Sequence, residues 1–169
     1  KDTENAYIAK TIVTSELVDT MAGSMGIECY NTLTGFKYIA ALMGKFEGKK
    51  RFIAAGEESY GYMVGDFVRD KDAVSACAFF AAMAASATEE KKSMYDWLID
   101  MYVEFGFFKE HLMNLTRKGQ KGEQEIKAMM EKFRNNPPSE ITGSSVVRLL
   151  DYKSLEETDL RTGNKTALD

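Results

Sequence analysis

The segment GEESYGYMVGDFVRDKDAV, residues 56–74, decides how this sequence is interpreted. It places two acids, a serine, a tyrosine and glycines directly after KRFIAAG (50–56), an apolar run that predicts a β-strand. The run DAVSACAFFAAMAAS (72–86) comes next and is apolar on nearly every side, which predicts a deeply buried helix. In open α/β sheets, ligands bind in loops that leave the carboxyl ends of strands. The polar loop at 56–61 is therefore a candidate binding loop.

Outside this segment, strand and helix patterns alternate. KTIVTS (10–15) and IECYNTL (27–33) are rich in β-branched and aromatic residues and predict strands. Further extended segments are predicted at 106–117 and 144–152. Helices are predicted after Ser15 up to Gly26, from Phe36 to before Gly48, at 72–86, at 89–105 and at 122–134. This alternation predicts a three-layer α/β/α domain with a mixed, mostly parallel sheet.

The chain of 169 residues has the length of one domain. We expect residues 1–152 to form that domain. The polar stretch 153–169 is expected to be a linker towards a C-terminal domain, because it follows the last apolar strand. Since the sequence starts at Lys1 and not at Met, it is expected to be one domain of a larger protein.

Composition excludes several classes of function. The net charge of −4 argues against nucleic acid as a partner. No apolar run approaches the ~20 residues of a membrane helix, and the polar start lacks the apolar core of a signal peptide. Cys29 and Cys77 lie far apart in apolar surroundings, so two buried thiols in a reducing cytoplasm are expected.

Two loops are predicted to share one edge of the sheet, namely TLTGFKYI (32–39) and GEESYG (56–61). Lys37 would then lie near Glu57 and Ser59. A carboxylate accepts hydrogen bonds from vicinal hydroxyls, a serine both donates and accepts, and glycines allow close approach of a ligand. This is the chemistry of sugar recognition. Composition alone, however, favours a solvated polar turn.

The RDKD run (69–72) also has two interpretations. Its chemistry favours a charged helix start with Asp70 or Asp72 as the cap. Alternatively, Arg69 and Lys71 could face a phosphate. His111 is predicted to be a packed or edge residue within an extended segment, without Cys or His partners. No metal site is predicted, and the sequence contains no GxxxxGK[ST], GxGxxG, HExxH or GxSxG motif.

The segments GEESYGYMVGDFVRDKDAV and TLTGFKYI together resemble the third domain of the α-D-phosphohexomutases, in particular the bacterial phosphoglucomutase/phosphomannomutase branch. The resemblance extends from KTIVTSEL to VVRLLDY. It implies a four-domain enzyme that interconverts hexose 1-phosphate and hexose 6-phosphate. A phosphoserine of the first domain would donate the phosphoryl group through a hexose 1,6-bisphosphate intermediate. Mg²⁺ would be held by aspartates of the second domain.

The resemblance also implies roles for individual residues. Glu57 and Ser59 would bind the sugar 3- and 4-hydroxyls, which glucose and mannose share. Lys71 would lie at the rim of the active site, near a phosphate or as a proton relay. The substrate-binding residues implied are Glu57, Ser59, Thr34, Gly35, Lys37, Gly56 and Lys71.

The sequence lacks loops of the TASHNP, DGDGDR and RPSGTEP kinds, which would supply the nucleophile, the metal and the phosphate clamp in this family. The isolated chain is therefore expected to be inactive. Its expected partners are a phosphohexose substrate and the other domains of its parent enzyme. Two alternatives stay open: a non-catalytic α/β sugar- or partner-binding module, and a phosphohexosamine mutase. The double acid and the tyrosine of GEESYG favour glucose.

Overall fold

The computed structural model describes residues 3–112 and 114–168, and we describe its two compact units, Lys1–His111 and Leu112–Asp169, one at a time. The helices and strands of the first unit are β1 Ala6–Thr11, α1 Leu17–Ser24, β2 Glu28–Thr32, α2 Phe36–Phe46, β3 Arg51–Gly56, β4 Tyr62–Val64, α3 Ala73–Glu89 and α4 Met94–Phe105.

A four-stranded sheet in the order β2-β1-β3-β4 forms the centre of the first unit. Strand β1 pairs in parallel with both β2 and β3, whereas β4 returns antiparallel beside β3. The prediction of an α/β domain with a mixed, mostly parallel sheet is confirmed. Because β1 and β3 are parallel neighbours, their carboxyl ends meet at one edge of the sheet.

The main core lies between this sheet and α2. Ile39 is fully buried, and Met43 and Phe36 are nearly so, which confirms the predicted apolar face of this helix. They pack against strand residues of β1, β3 and β4, namely Tyr7, Ala9, Phe52, Ala55 and Met63. Gly48 follows α2 with a φ of +69°, which suits the predicted end of the helix.

Helices α1 and α3 cover the opposite face of the sheet, which completes three layers. Lys10 of β1 forms an ion pair with Asp19 of α1, and Tyr62 of β4 packs edge-on against Phe80 of α3 with ring centroids 5.3 Å apart. Both Lys10 and Tyr62 alternate along their strands with residues that face α2.

The prediction that α3 is deeply buried is wrong. Only Ala76 and Ala87 are buried in this helix, while Val74 is 80% exposed. The reason is that α3 packs against β4, an edge strand of three residues, which can cover only a narrow stripe of a 17-residue helix. Cys77 lies on this helix and is exposed, so the expectation of two buried thiols holds for neither exposed Cys77 nor half-buried Cys29.

Several predicted boundaries also shift. The first strand ends at Thr11 and not at residue 15, because the chain turns there: the N–H of Thr14 donates to the carbonyl of Thr11 at 2.9 Å. The helix predicted from residue 89 begins at Met94, where Ser93 and Asp96 form a capping box. Directly after the polar loop 56–61, the chain forms the short strand β4, for which the sequence predicts no counterpart.

The second unit contains one helix and two small antiparallel sheets, in the residues described. Its elements are α5 Gly119–Asn135, β5 Glu140–Ile141, β6 Ser144–Ser145, β7 Arg148–Asp151, β8 Glu156–Asp159 and β9 Lys165–Ala167. Strand β8 pairs antiparallel with both β7 and β9. The predicted helix at 122–134 is confirmed, with three additional residues at its start.

The segment predicted to be extended at 106–117 forms no strand in its described residues; Met113 lies outside them. His111 is therefore not within a strand, and it is exposed. The stretch 153–169 contains β8 and β9, so its polar composition does not prevent it from pairing with β7. A domain boundary at residue 152 stays a prediction. The compact units divide between residues 111 and 112.

Candidate functional site

The candidate site lies at the carboxyl ends of β1 and β3. The loop after β3 is a tight turn, closed by a 2.8 Å hydrogen bond from the N–H of Glu57 to the carbonyl of Gly61. At its tip, Tyr60 adopts a φ of +64° and is 89% exposed. A positive φ is uncommon for a residue with a side chain, so contacts elsewhere in the loop must hold this conformation.

Glu57 is the buried acid of this loop, with only 7% of its surface exposed. Its Oε1 accepts a 2.7 Å hydrogen bond from the backbone N–H of Gly35, the residue that precedes the first turn of α2. No side chain of its own caps this helix, so the Glu57 carboxylate supplies a negative charge at the positive end of the helix dipole. The loops 32–39 and 56–61 therefore meet, as the sequence predicts.

Gly35 and Gly61 allow this close packing for different reasons. Gly35 has a φ of +122°, a conformation that residues with side chains rarely adopt. At Gly61, a Cβ would lie 2.9 Å from the ring of Phe36 and 3.1 Å from Oε2 of Glu57. Gly56 is less constrained, because a Cβ there would make only an ordinary contact with Tyr62 at 3.5 Å.

Lys71 lies close to Gly61, in the same space as Phe36 and Glu57. A Cβ on Gly61 would be 3.4 Å from its Cδ, and its Nζ is 5.4 Å from the centroid of the Phe36 ring. The Lys71 ammonium is 3.5 Å from a carboxylate oxygen of Asp70, and both side chains are mostly exposed. Lys71 and Glu57 thus border the same glycine, with the lysine ammonium open to solvent.

The other side chains predicted to bind substrate make no close contact with Glu57 among the contacts of the described residues. Ser59 and Thr34 are exposed in their loops. Lys37 lies in the first turn of α2, with its Nζ 4.9 Å from the ring centroid of Tyr38. The structure brings Glu57 and Lys71 together at Gly61 and joins Glu57 to Gly35, and it leaves Ser59, Thr34 and Lys37 on the surface.

The RDKD run separates into different roles. Asp72 caps α3 by accepting hydrogen bonds from the N–H groups of Val74 and Ser75, both at 3.1 Å. The hydrogen bonds from Ser75 and Val74 lower the pKa of Asp72, and the predicted cap at this position is confirmed. Arg69 pairs with Glu47 at 2.7 Å in an exposed contact. Within residues 3–112 and 114–168, no three His, Cys, Asp or Glu side chains come together as a metal site.

Comparison with known proteins shows which family the chain is similar to. Residues 1–105 match the profile described as phosphoglucomutase/phosphomannomutase, alpha/beta/alpha domain III. The chain belongs to this family. A phosphoglucomutase of Staphylococcus aureus (strain bovine RF122 / ET3-1) is 37% identical over 147 residues, which are 87% of the chain and 27% of that protein. A phosphoglucomutase of Staphylococcus saprophyticus is 32% identical over 170 residues, covering 99% of the chain and 31% of that protein.

This phosphoglucomutase/phosphomannomutase domain therefore spans less than a third of the length of these two relatives. A solved structure with the same fold is that of pp63/parafusin, an exocytosis-sensitive phosphoprotein and phosphoglucomutase from Paramecium, in an open form. It is 19% identical, with a TM-score of 0.58 over 95% of the chain and 27% of that structure. No helix in the described part of the domain has the length and apolar character needed to span a membrane.

The domain also contains a polar network that sequence reasoning missed. Lys10 is 3% exposed, and its Nζ lies 2.9 Å from Asp19 and 3.1 Å from the carbonyl oxygen of Thr14. Burial opposes the ionisation of Asp19, but hydrogen bonds from Lys10 and Asn31 outweigh it and lower the pKa of Asp19. Burial and the Asp19 charge raise the pKa of Cys29 to about 12, so this thiol stays protonated.

The signal for this network was present in the sequence but was assigned differently. Lys10 and Thr11 open the run KTIVTS, which predicts a strand over 10–15, whereas in the structure they are the last two residues of β1. Thr11 is fully buried, and its hydroxyl donates to Oε2 of Glu58 at 2.9 Å. The second acid of the GEESYG loop is therefore also held by a specific partner.

A cavity of about 370 Å³ lies beneath the loop, between the sheet and α1. Glu57 and Glu58 border one end of it, and much of its wall is alkyl groups of Ile8, Val18 and Ala54. Sugar hydroxyls need hydrogen-bond partners, so this apolar cavity does not match a hexose.

Proposed function

We propose that this chain is the sugar-recognition domain of a phosphoglucomutase/phosphomannomutase that interconverts hexose 1-phosphate and hexose 6-phosphate by phosphoryl transfer through a hexose 1,6-bisphosphate. Its family membership over residues 1–105 supports the reaction class. Its length relative to its relatives supports a division of labour, in which other parts of the full-length enzyme supply the nucleophile and the phosphate clamp.

The observation that carries the proposal is the environment of Glu57. Glu57 is only 7% exposed, and the hydrogen bond from the N–H of Gly35 holds its Oε1 in place. The other oxygen, Oε2, lies on the side of Gly61 and Lys71. A pair of vicinal hydroxyls is a suitable partner for a carboxylate that is fixed in position.

The neighbouring residues have complementary roles in this proposal. Lys71 supplies an exposed cation beside Glu57, where a phosphate oxygen could accept its hydrogen bonds. Ser59 contributes a hydroxyl from the exposed tip of the same loop, and Thr34 and Lys37 contribute from the loop before α2. Gly35 sets the backbone path of the loop before α2 with its φ of +122°, and Gly56 is the last residue of β3, where the sugar loop begins.

The Mg²⁺ that the family resemblance implies finds no set of ligands among the described residues of this chain. Asp72 is occupied as a helix cap, and Asp70 accepts from the N–H of Lys71. We therefore assign the metal to another domain of the full-length enzyme and derive no step through it here. The isolated chain is expected to show no turnover of glucose 1-phosphate, and turnover above background would contradict this.

Replacement of the Glu57 carboxylate by a neutral amide tests the proposal. In the full-length enzyme, Glu57→Gln keeps the shape of the side chain and removes its charge. One charged hydrogen bond contributes about 1.5–3 kcal/mol, so kcat/KM for the hexose phosphate should fall roughly 10- to 100-fold. The matched control is Glu104→Gln, at an exposed acid of α4, which should leave kcat/KM within twofold. An unchanged kcat/KM in Glu57→Gln would show that Glu57 does not bind the sugar.

A substrate panel separates the family alternatives. Glucose 1-phosphate, mannose 1-phosphate and glucosamine 1-phosphate differ at carbon 2 and share the 3- and 4-hydroxyls. If Glu57 reads the shared hydroxyls, Glu57→Gln should weaken turnover of every accepted sugar by a similar factor. The wild-type order of kcat/KM then identifies the preferred sugar, and absence of turnover with all three would favour a non-catalytic binding module.

A further inference from the structure

The two adjacent acids of the loop differ in their environment. Glu57 is buried and held by a backbone N–H, whereas Glu58 is exposed and accepts a hydrogen bond from the hydroxyl of Thr11. Thr11 is fully buried at the end of β1 and lies 47 residues away along the chain. A buried hydroxyl that reaches a surface loop through one specific bond is a candidate for a positioning role.

The direction of the hydrogen bonds follows from the chemistry of the groups. The Thr11 hydroxyl lies 2.8 Å from the hydroxyl of Thr14 and 2.9 Å from Glu58. An ionised carboxylate can only accept, so Thr11 donates its single proton to Glu58 and must accept from Thr14. The relay therefore runs from Thr14 through Thr11 to Glu58, and each bond polarises the next.

The start of this relay is fixed by the buried network of β1. The buried ammonium of Lys10 donates to the carbonyl of Thr14, and the N–H of Thr14 donates to the carbonyl of Thr11. Lys10 is held in turn by Asp19 of α1. The turn after β1 is thus tied to the sheet at several points, whereas the loop after β3 contains a residue, Tyr60, in an unfavourable backbone conformation.

We infer that Thr11 is a positioning residue for the sugar loop: through Glu58 it fixes the turn 57–61 so that Glu57 stays aligned for the hexose hydroxyls. This inference rests on the proposed function for its effect on substrate binding. It also makes a claim about loop order that holds whichever sugar is bound. Glu58 acts as the structural acid of the pair, and Glu57 is the acid that contacts the ligand.

The test uses the full-length enzyme with Thr11→Val, which keeps the shape of the side chain and removes the hydroxyl, and Thr11→Ser, which keeps the hydroxyl. Thr11→Val should raise KM for the hexose phosphate about 5- to 10-fold with a smaller change in kcat, and Thr11→Ser should restore KM to within twofold. The matched control is Thr88→Val, which should leave KM within twofold. Thr88 is exposed on α3, away from both loops, and its hydroxyl donates to the backbone carbonyl of Ala84 at 2.9 Å.

A double mutant shows whether the effect passes through the single bond. Glu58→Ala should raise KM about as much as Thr11→Val, and the combination should be no worse than the more severe single variant. If the increase of KM in the double mutant equalled the product of the two single increases, the inference would be overturned. A normal KM in folded Thr11→Val would do the same. If Thr11→Val does not fold, the exposed Glu58→Ala variant tests the same bond from its other end.

Hydrogen exchange separates failure of this inference from failure of the proposed function. Amides of residues 57–61 should exchange at least fivefold faster in Thr11→Val and in Glu58→Ala than in wild type, while amides of β2 should be unchanged. A wild-type protein that turns over no hexose phosphate would overturn the proposed function. Hydrogen exchange of residues 57–61 would still show whether the bond between Thr11 and Glu58 orders the loop. Unchanged exchange at 57–61 in both variants would overturn the positioning role even in an active enzyme.

Discussion

The sheet of the first unit and the β7-β8-β9 sheet of the second unit use similar side chains in very different settings. In the residues that the structure describes, the polar side chains that are buried are Lys10, Thr11 and Glu57, all at the carboxyl ends of β1 and β3. In the second unit, cross-strand pairs such as Lys165 with Glu156 are exposed.

This difference follows from how the two sheets are covered. Helices lie on both faces of the first sheet, so a charge at its edge is removed from water and needs a defined partner. The strands of the second sheet have no buried side chains among their described residues, and the pair of Lys165 with Glu156 stays hydrated. Burial, and not the number of ion pairs, should therefore decide which polar contacts matter for stability and for the position of the site.

The largest expected effect is at Lys10. Lys10→Met removes the partner of Asp19 and the donor to Thr14, and breaking a buried pair costs about 3 kcal/mol at the lower end of the usual range. Trp97, the single tryptophan, lies in α4 of the first unit, so urea unfolding followed by its fluorescence reports this unit. The control is Lys109→Met, at an exposed lysine. A loss of unfolding free energy below about 0.5 kcal/mol in Lys10→Met would show that the buried pair contributes no more than an exposed one.

The next effect compares two glycines of the first unit. Gly61→Ala places a methyl group against Phe36 and the Glu57 carboxylate, so a loss of about 2 kcal/mol is expected from overpacking. Gly44→Ala, within α2 and with open space around it, should gain about 0.5–1 kcal/mol from helix propensity. The same denaturation experiment measures both, and equal signs for the two substitutions would contradict the packing at Gly61.

Much of the first sheet could be predicted from the sequence because its signals are local. The apolar period at Phe36, Ile39 and Met43 identified α2. The β-branched and aromatic run at 27–33 identified β2, and the apolar run at 50–56 identified β3. The order of strand and helix then predicted a mostly parallel sheet, which in turn predicted that the loops containing Gly35 and Glu57 meet. A cap within RDKD was predictable because this run comes just before the apolar run of α3; the sequence left Asp70 and Asp72 as alternatives, and the structure has Asp72 as the cap.

The parts that sequence reasoning missed depend on contacts over long separations. The exposure of α3 depends on how short its partner strand β4 is, which no local pattern reports. The bond between Thr11 and Glu58 joins residues 47 positions apart, and it required the correct end of β1. In the second unit, β8 and β9 are polar strands, so the alternation that identifies a half-buried strand is absent from 153–168.

A smaller effect is expected from pH. Hydrogen bonds and the charge of Lys10 lower the folded-state pKa of Asp19 despite its burial. A group with a lowered folded pKa contributes stability above its unfolded pKa, about 3.9, and this contribution disappears as the pH falls through the folded value. Asp19→Asn should therefore be less stable than wild type at pH 7, and the difference should shrink below about pH 4. A difference that is independent of pH would show that the charge of Asp19 contributes nothing.

The smallest effect is expected at Lys165, and it tests the other half of the comparison. Its Nζ lies 2.5 Å from Glu156, closer than Lys10 lies to Asp19, but its side chain is 61% exposed against 3% for Lys10. Lys165→Met should therefore change stability by less than about 0.5 kcal/mol, measured by hydrogen exchange of the β7–β8 amides at low and at high salt. If removing this shorter, exposed contact lowered stability as much as removing the buried one, the distance between the charges would matter more than their burial. Burial would then no longer single out the edge of the first sheet that contains the candidate site.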